Sequence, residues 1–329
     1  MSTPALIFFQ ADTLARPPRL LQNRAHVETL PFDGLVINIP ASYTVSRAST
    51  RLDYADTRRW LTLDGMYSKL NQSYLLAYTA HEESPPDVFD SQERLITNWR
   101  LLARAAREAG MRGLFVDNEP YDTRALEFPD GARWPEFGLA RYQRQARSVG
   151  RWVMDGILKE WPEAHVIVAH GPYVSEPKTP REVSLLQVET TPYDLRGHWF
   201  SGMAQASGNG QLVDGGEVYQ YRTREDFVRS RQWRETGLPQ VPSSTVVPSP
   251  LRRTWRDRVS IGFGVYDRPW KAGYEMNPEV LETTLTNALA VAEDVVWLYT
   301  DGSGGGRYLD PLTVDSAYVD VVRRARGAG

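Results

Sequence analysis

Eight short apolar runs, each followed by a longer segment of helical or polar character, recur from one end of this 329-residue chain to the other. The runs are Ala5–Gln10, Gly34–Ile39, Tyr74–Thr79, Gly113–Val116, His165–Ala169, Gln211–Tyr219, Val259–Val265 and Val295–Thr300, four to nine residues each and rich in Val, Ile, Leu, Phe or Tyr. Such composition suits strands buried on both faces, as in a parallel sheet. Between them lie stripes at the 3.6-residue period. Leu95, Ile96, Trp99, Leu102, Ala103 and Ala106 form one, closed by Gly110; Tyr142, Ala146, Val149, Val153, Ile157 and Trp161 form another, stopped by Pro162. Val280, Leu281, Thr284, Leu285, Ala288 and Ala292 follow Asn277-Pro278, an N-cap with proline at the first helical position. Weaker helices are expected at Thr57–Asn71, Leu195–Ala206, Arg224–Glu235 and Ser316–Arg326.

Strands alternating with helices in this number predict a single α/β domain over residues 1–329, a (β/α)8 TIM barrel with loop insertions. A doubly wound open sheet is the alternative, but no Gly-x-Gly-x-x-Gly turn follows the first run. The proline-rich stretch Gly237–Asp257 precedes the seventh run and reads as a surface excursion on the side away from the site.

With 41% hydrophobic and 24% charged residues the chain can bury a full core. Its net charge of −3 argues against a nucleic-acid surface. No apolar stretch approaches the roughly 20 residues of a membrane span. There is no cysteine, so disulfides and thiolate chemistry are absent and a structural zinc site is disfavoured. The N-terminal run reads as a strand, not a signal peptide, which leaves a cytoplasmic protein or one secreted after loss of a leader. Oligomeric state is not legible.

In such a barrel the residues that follow each strand gather at one mouth. The first run delivers Gln10 and Asp12, the second Asn38, the third Tyr78 and His81. The fourth delivers Asp117, Glu119 and Tyr121, the fifth His170, and the sixth Asp214, Glu217 and Tyr219. The seventh delivers Tyr266, Asp267 and Trp270, the eighth Tyr299 and Asp301. Acids and amides for hydroxyls, with rings for stacking, suit a sugar. Asp117 and Glu119 are two apart, and so emerge on one side where burial normally excludes charge. They read either as active-site acids or as a salt-bridged cap. In the first reading Glu119 is the proton donor, and Asp117 raises its proton affinity. Glycosidic cleavage needs a second carboxylate, and Asp214, Glu217 and Asp267 are the candidates. The glycines in Asp214-Gly215-Gly216-Glu217 suggest either a rim bulge or an ordinary turn. His170 reads equally as a hydroxyl ligand or a structural histidine. His81-Glu82-Glu83 reads as a solvated loop, and Asp301 to Gly306 as a flexible loop over the site, so no metal and no cofactor is expected.

Asn118-Glu119-Pro120 resembles the Asn-Glu-Pro acid/base motif at the fourth strand of the large clan of retaining (β/α)8 glycoside hydrolases. Glu119-Pro120-Tyr121 is similar to a stretch of endo-α-mannosidase-like barrels, and Asp117-x-Glu119 to the chitinase-like arrangement. Together these resemblances imply a glycoside hydrolase acting on an oligo- or polysaccharide, with Glu119 as proton donor. The retaining clan has its nucleophilic Glu after the seventh strand, where this chain has Gly264-Val265-Tyr266-Asp267, and the longer chitinase run is missing. A non-catalytic carbohydrate-binding barrel and a metal-dependent barrel hydrolase using His81, His170 and Asp residues are the other readings.

Overall fold

The computed structural model describes residues 3–10, 13–61, 72–81, 85–121, 126–128, 136–176, 191–241, 244–267, 276–301 and 308–327. Nine parallel strand segments form one sheet: β1 (Ala5–Gln10), β2 (Gly34–Ile37), β3 (Tyr74–Tyr78), β4 (Gly113–Asp117), β5 (His165–Val168), β6 (Leu212–Asp214), β7 (Val259–Ile261), β8 (Phe263–Tyr266) and β9 (Val295–Thr300). Their order is β7-β6-β5-β4-β3-β2-β1-β9-β8. The segments β7 and β8 are the two halves of the expected seventh strand, parted at Gly262. The first half pairs with β6 and the second with β9, so the ring of eight closes around that residue. This is the (β/α)8 barrel the alternation predicts.

Strand alternation divides the core in two. Ile7, Phe9, Val36, Leu76, Phe115, Ile167, Val213 and Trp297 fill the barrel interior. Their neighbours Leu6, Phe8, Leu35, Leu75, Leu114, Val116, Val166, Val168 and Leu212 face outward to the helices. That parity decides which acids enter the mouth.

The helices occupy the expected places: Glu93–Glu108, Leu139–Glu160, Arg196–Ala206, Pro278–Val291 and Ser316–Gly327. Asn277 caps the fourth of these, its side-chain oxygen accepting from the Val280 N–H at 2.9 Å. Gly110 ends the first at φ +74°, a conformation open to glycine. Three expectations need correction. The helix placed at Thr57–Asn71 spans Tyr54–Leu61, and 62–71 lie outside the described residues. The helix from Arg224 ends at Gln232 and passes into a π turn, Trp233–Gly237. The stretch 237–257 is not a loose surface excursion, because it buries Leu238, Val246, Val247, Leu251 and Trp255. Nor does it stay away from the mouth: Ser244 donates to Glu176, which follows β5, at 2.6 Å. Among the described residues no helix is long and apolar enough to cross a membrane.

Candidate active site

Asp117 is the last residue of β4 and shares the inward parity of Phe115, so its carboxyl enters the barrel mouth, 3% exposed. Pro120 lies three residues beyond the strand end. The turn is fixed by Asp117 itself, whose Oδ1 accepts the Glu119 N–H at 3.1 Å while Oδ2 accepts the Tyr121 hydroxyl at 2.6 Å. Asn118, between them, does not face the mouth chemistry. It exchanges two 2.9 Å hydrogen bonds with the His170 backbone, donating to the carbonyl and accepting from the N–H.

That clamp brings His170 beside the acids. Its Nε2 stands 3.1 Å from Glu119 Oε1 and 3.5 Å from Glu217 Oε2, and its Nδ1 is 3.4 Å from the Tyr173 hydroxyl. One donor atom from each of Glu119, His170 and Glu217 lies within 4.8 Å of the others.

Glu217 reaches this place through its two glycines. Gly215 N–H bonds to Val168 O at 2.7 Å, but Glu217 N–H bonds to Ala169 O, at 3.0 Å, where an unbroken ladder would reach His170. One extra residue is therefore accommodated on the sixth strand, a bulge at the rim. Gly216 makes it possible with φ +61°. The expected nine-residue strand Gln211–Tyr219 thus stops at Asp214 as regular structure. Glu217 lies at the rim, with its Oε1 accepting the Tyr219 hydroxyl at 2.6 Å.

The other two candidate partners go elsewhere. Asp214 has the parity opposite to Val213 and faces the helical layer, where its Oδ1 pairs with Arg234 at 2.9 Å; both side chains are essentially fully buried. Asp267 follows Tyr266 on the outward parity of Phe263 and Val265, fully buried. Reading them as mouth acids ignored the period of two. Gln10 is likewise outward and buried behind Phe9, whereas Asn38 continues the inward parity of Val36. Tyr78 and Tyr299 are in or against the inner cluster, and Tyr219 stacks on Tyr299 with centroids 6.0 Å apart and planes 13° apart. Tyr266 donates to Asp301 at 2.6 Å. Asp12, Trp270, Glu82, Glu83 and the glycine loop 302–306 lie outside the described residues.

Two groups at the mouth were not picked out from the sequence. Arg196, first residue of the helix Arg196–Ala206, is held by Asp194 through Nε and Nη2, at 2.9 and 2.6 Å from Oδ2, and donates to the Asn118 carbonyl at 3.3 Å. Nothing local marks it, because it follows a long connection after β5. Tyr43 stacks on Tyr78, and its position just past the second strand was a usable signal. His81 is no loop residue in solvent, since it packs against Tyr43, Tyr78 and Tyr121.

The environments push the acids apart. Burial would raise Glu119, but the hydrogen bond and charge of His170 and the charge of Arg196 outweigh it and hold its pKa below the usual glutamate value. Burial, together with the charges of Glu119 and Asp117, raises Glu217 well above that value. Burial and the Glu119 charge lift Asp117 to about 7. The proton affinities of Glu119 and Glu217 are therefore displaced in opposite directions.

Fold and site together define a (β/α)8-barrel protein with a graded carboxyl cluster at its C-terminal mouth. No protein-family model matches the sequence, and no curated protein matches it. Solved structures similar to it include a cellulase in complex with an inhibitor (13% identity, TM-score 0.49, 99% of this chain and 93% of that one). Another is the catalytic domain of the major endoglucanase from Xanthomonas campestris (12%, TM-score 0.48, 98% and 94%). A sugar phosphate isomerase/epimerase from Parabacteroides distasonis is similar to the same degree (10%, TM-score 0.47, 96% of each). At these identities and TM-scores the likeness carries no conclusion about activity.

Proposed function

We propose that the protein is a retaining glycoside hydrolase in which Glu119 is the nucleophile and Glu217 the general acid/base. The observation that carries this reading is the approach of Glu119 and Glu217 to within 4.8 Å through oppositely perturbed carboxyl groups. Retaining hydrolases hold their two carboxyls about 5–5.5 Å apart, whereas inverting ones leave room for a water. The roles are the reverse of the sequence expectation for Glu119. A nucleophile must be ionised and an acid must hold its proton at working pH.

In this mechanism Glu119 Oε attacks the anomeric carbon, forming a glycosyl ester, as Glu217 transfers its proton to the departing glycosidic oxygen. Glu217, now a carboxylate, takes a proton from a water that attacks the same carbon. The ester breaks, returning the electron pair to Glu119, and the sugar leaves with its configuration retained. His170 and Arg196 keep Glu119 charged, and the Tyr219 hydroxyl orients Glu217. Asp117, with Tyr121, is placed to bind a sugar hydroxyl.

Azide separates the assignments. In Glu119→Ala it takes the nucleophile's place and yields a glycosyl azide of inverted configuration; in Glu217→Ala it attacks the glycosyl ester and yields a retained one. The opposite pattern would exchange the roles, and undiminished hydrolysis by either variant would remove the proposal.

A second reading rests on the same 4.8 Å cluster. Glu119, His170 and Glu217 offer a carboxylate–imidazole–carboxylate set able to hold a divalent transition metal. Activity lost to a chelator and regained with added metal would favour a metal-dependent hydrolase or isomerase.

A further inference from the structure

One side of the barrel mouth carries a wall of rings that the proposed reaction does not use. Tyr43, in the short helix Pro40–Thr44 after β2, lies on Tyr78 with centroids 5.1 Å and planes 23° apart. His81 meets Tyr43 at 4.9 Å, and Tyr121 meets Tyr78 edge-on at 5.7 Å. The wall starts at the acids: Tyr78 on β3 is the strand partner of Asp117 on β4, and Tyr121 donates to Asp117.

Exposure rises from its base to its rim. Tyr78 is 4% exposed, Tyr43 and His81 are half-buried, and Tyr121 is 49% exposed. A cluster serving only the core would bury its rings at the top as well. Here rigid rings, fixed by their neighbours below, leave apolar surface open next to the carboxyls, which is what the C–H face of a pyranose needs. On the facing side Tyr266 is 1% exposed and its hydroxyl is taken by Asp301.

We propose that the Tyr43–Tyr78–His81–Tyr121 wall is a second sugar subsite, adjoining the one over Glu119, so that the substrate is a glycan of at least two linked sugars and Tyr43 is a specificity-determining residue. The assignment of the two subsites to either side of the scissile bond rests on the hydrolase reading above; the stacking of a sugar on the wall does not. Tyr43 is the cleanest probe, because Tyr121 also holds Asp117.

The test is calorimetric titration in a Glu119→Gln background, with cello-, xylo-, manno- and chitotetraose and their monosaccharides as probes. Removing the ring with Tyr43→Ala is expected to weaken the tetraose that binds by roughly 3- to 10-fold and to leave its monosaccharide unchanged, whereas Tyr43→Phe retains wild-type affinity. Tyr43→Leu fills the space without a flat face and gives the same loss, which guards against a misfolded alanine variant. Equal weakening of tetraose and monosaccharide, no weakening, or no binding of any tetraose would overturn the subsite. Tyr43-dependent tetraose binding without turnover by the wild-type protein would instead keep the subsite and remove the hydrolase reading.

Discussion

Asn118 and His170 are joined by a reciprocal pair of 2.9 Å hydrogen bonds, side-chain amide to backbone, across the ends of β4 and β5. Asn118 thus fixes where the imidazole stands relative to Glu119 while making no use of the mouth itself. Both bonds are buried, so Asn118→Ala leaves an N–H and a carbonyl unpaired, a loss of about 2–4 kcal/mol. It also frees the ring to shift, and a displacement near 1 Å costs on the order of 100-fold in rate. Urea unfolding and turnover measured on the same preparation check both parts. A destabilised variant with wild-type turnover would reduce Asn118 to a strand staple.

Asp214 and Arg234 supply the contrast, an acid near the site whose work is structural. Their ion pair is sealed between barrel and helices, and Arg234 also donates to the Gly262 carbonyl at 2.9 Å, at the break between β7 and β8. Arg234→Met leaves a buried carboxyl uncompensated and is expected to cost about 3–5 kcal/mol. Asp214→Asn, in the fraction that folds, is expected to turn over substrate at the wild-type rate. A loss of 100-fold or more in well-folded Asp214→Asn would return Asp214 to the catalytic set.

How far the sequence could be read follows from what each period encodes. The β/α alternation fixed the barrel because apolar runs and 3.6-residue stripes report burial directly. The acids after β4 were legible because charge at the end of an apolar run conflicts with burial. The choice among Asp214, Glu217 and Asp267 was not read, although the period of two carries it: Glu217 shares the inward parity of Val213 and Tyr219, whereas Asp214 and Asp267 have the outward one. Nor was the direction of proton affinity legible. That depends on His170 and Arg196, brought to Glu119 from 51 and 77 positions away in the chain. Tyr43 is different: it stood just past a strand end, where its position alone could have marked it.

Gly216 is the residue on which the position of Glu217 hangs. Its φ of +61° lies in the left-handed region, and a Cβ there would sit 2.4 Å from Arg234 Nη1 and 2.6 Å from the Gly262 carbonyl oxygen. Gly216→Ala is therefore expected to cost about 1–2 kcal/mol for the backbone alone, with more from the clash, and to pull Glu217 off its rim position. Thermal melts should show the loss, and turnover of the folded fraction should fall by at least 10-fold. Unchanged turnover would mean that the bulge can be rebuilt without glycine and that Glu217 is not placed by it.

The raised carboxyls make stability depend on pH in a definite direction. Asp117 in the folded protein keeps its proton up to about 7, whereas in the unfolded chain it releases it near 3.8. Between those values the unfolded state binds fewer protons, so stability falls as pH rises, by about 4 kcal/mol at most from this residue. Glu217, raised as well, acts in the same sense. Glu119, held low, acts oppositely and loses its contribution only as pH drops below the ordinary glutamate value. The melting temperature is thus expected to peak on the acid side, near pH 4–5, and to decline toward pH 8. Asp117→Asn should flatten the decline and raise the melting temperature at pH 7. Activity should follow a bell, with its acid limb from protonation of Glu119 and its alkaline limb from deprotonation of Glu217. Glu217→Gln should lose roughly 10²–10⁴-fold in rate together with the alkaline limb. A melting temperature that climbs from pH 5 to pH 8 would mean that these carboxyls are ionised in the folded protein, and the division of labour between Glu119 and Glu217 would fall with it.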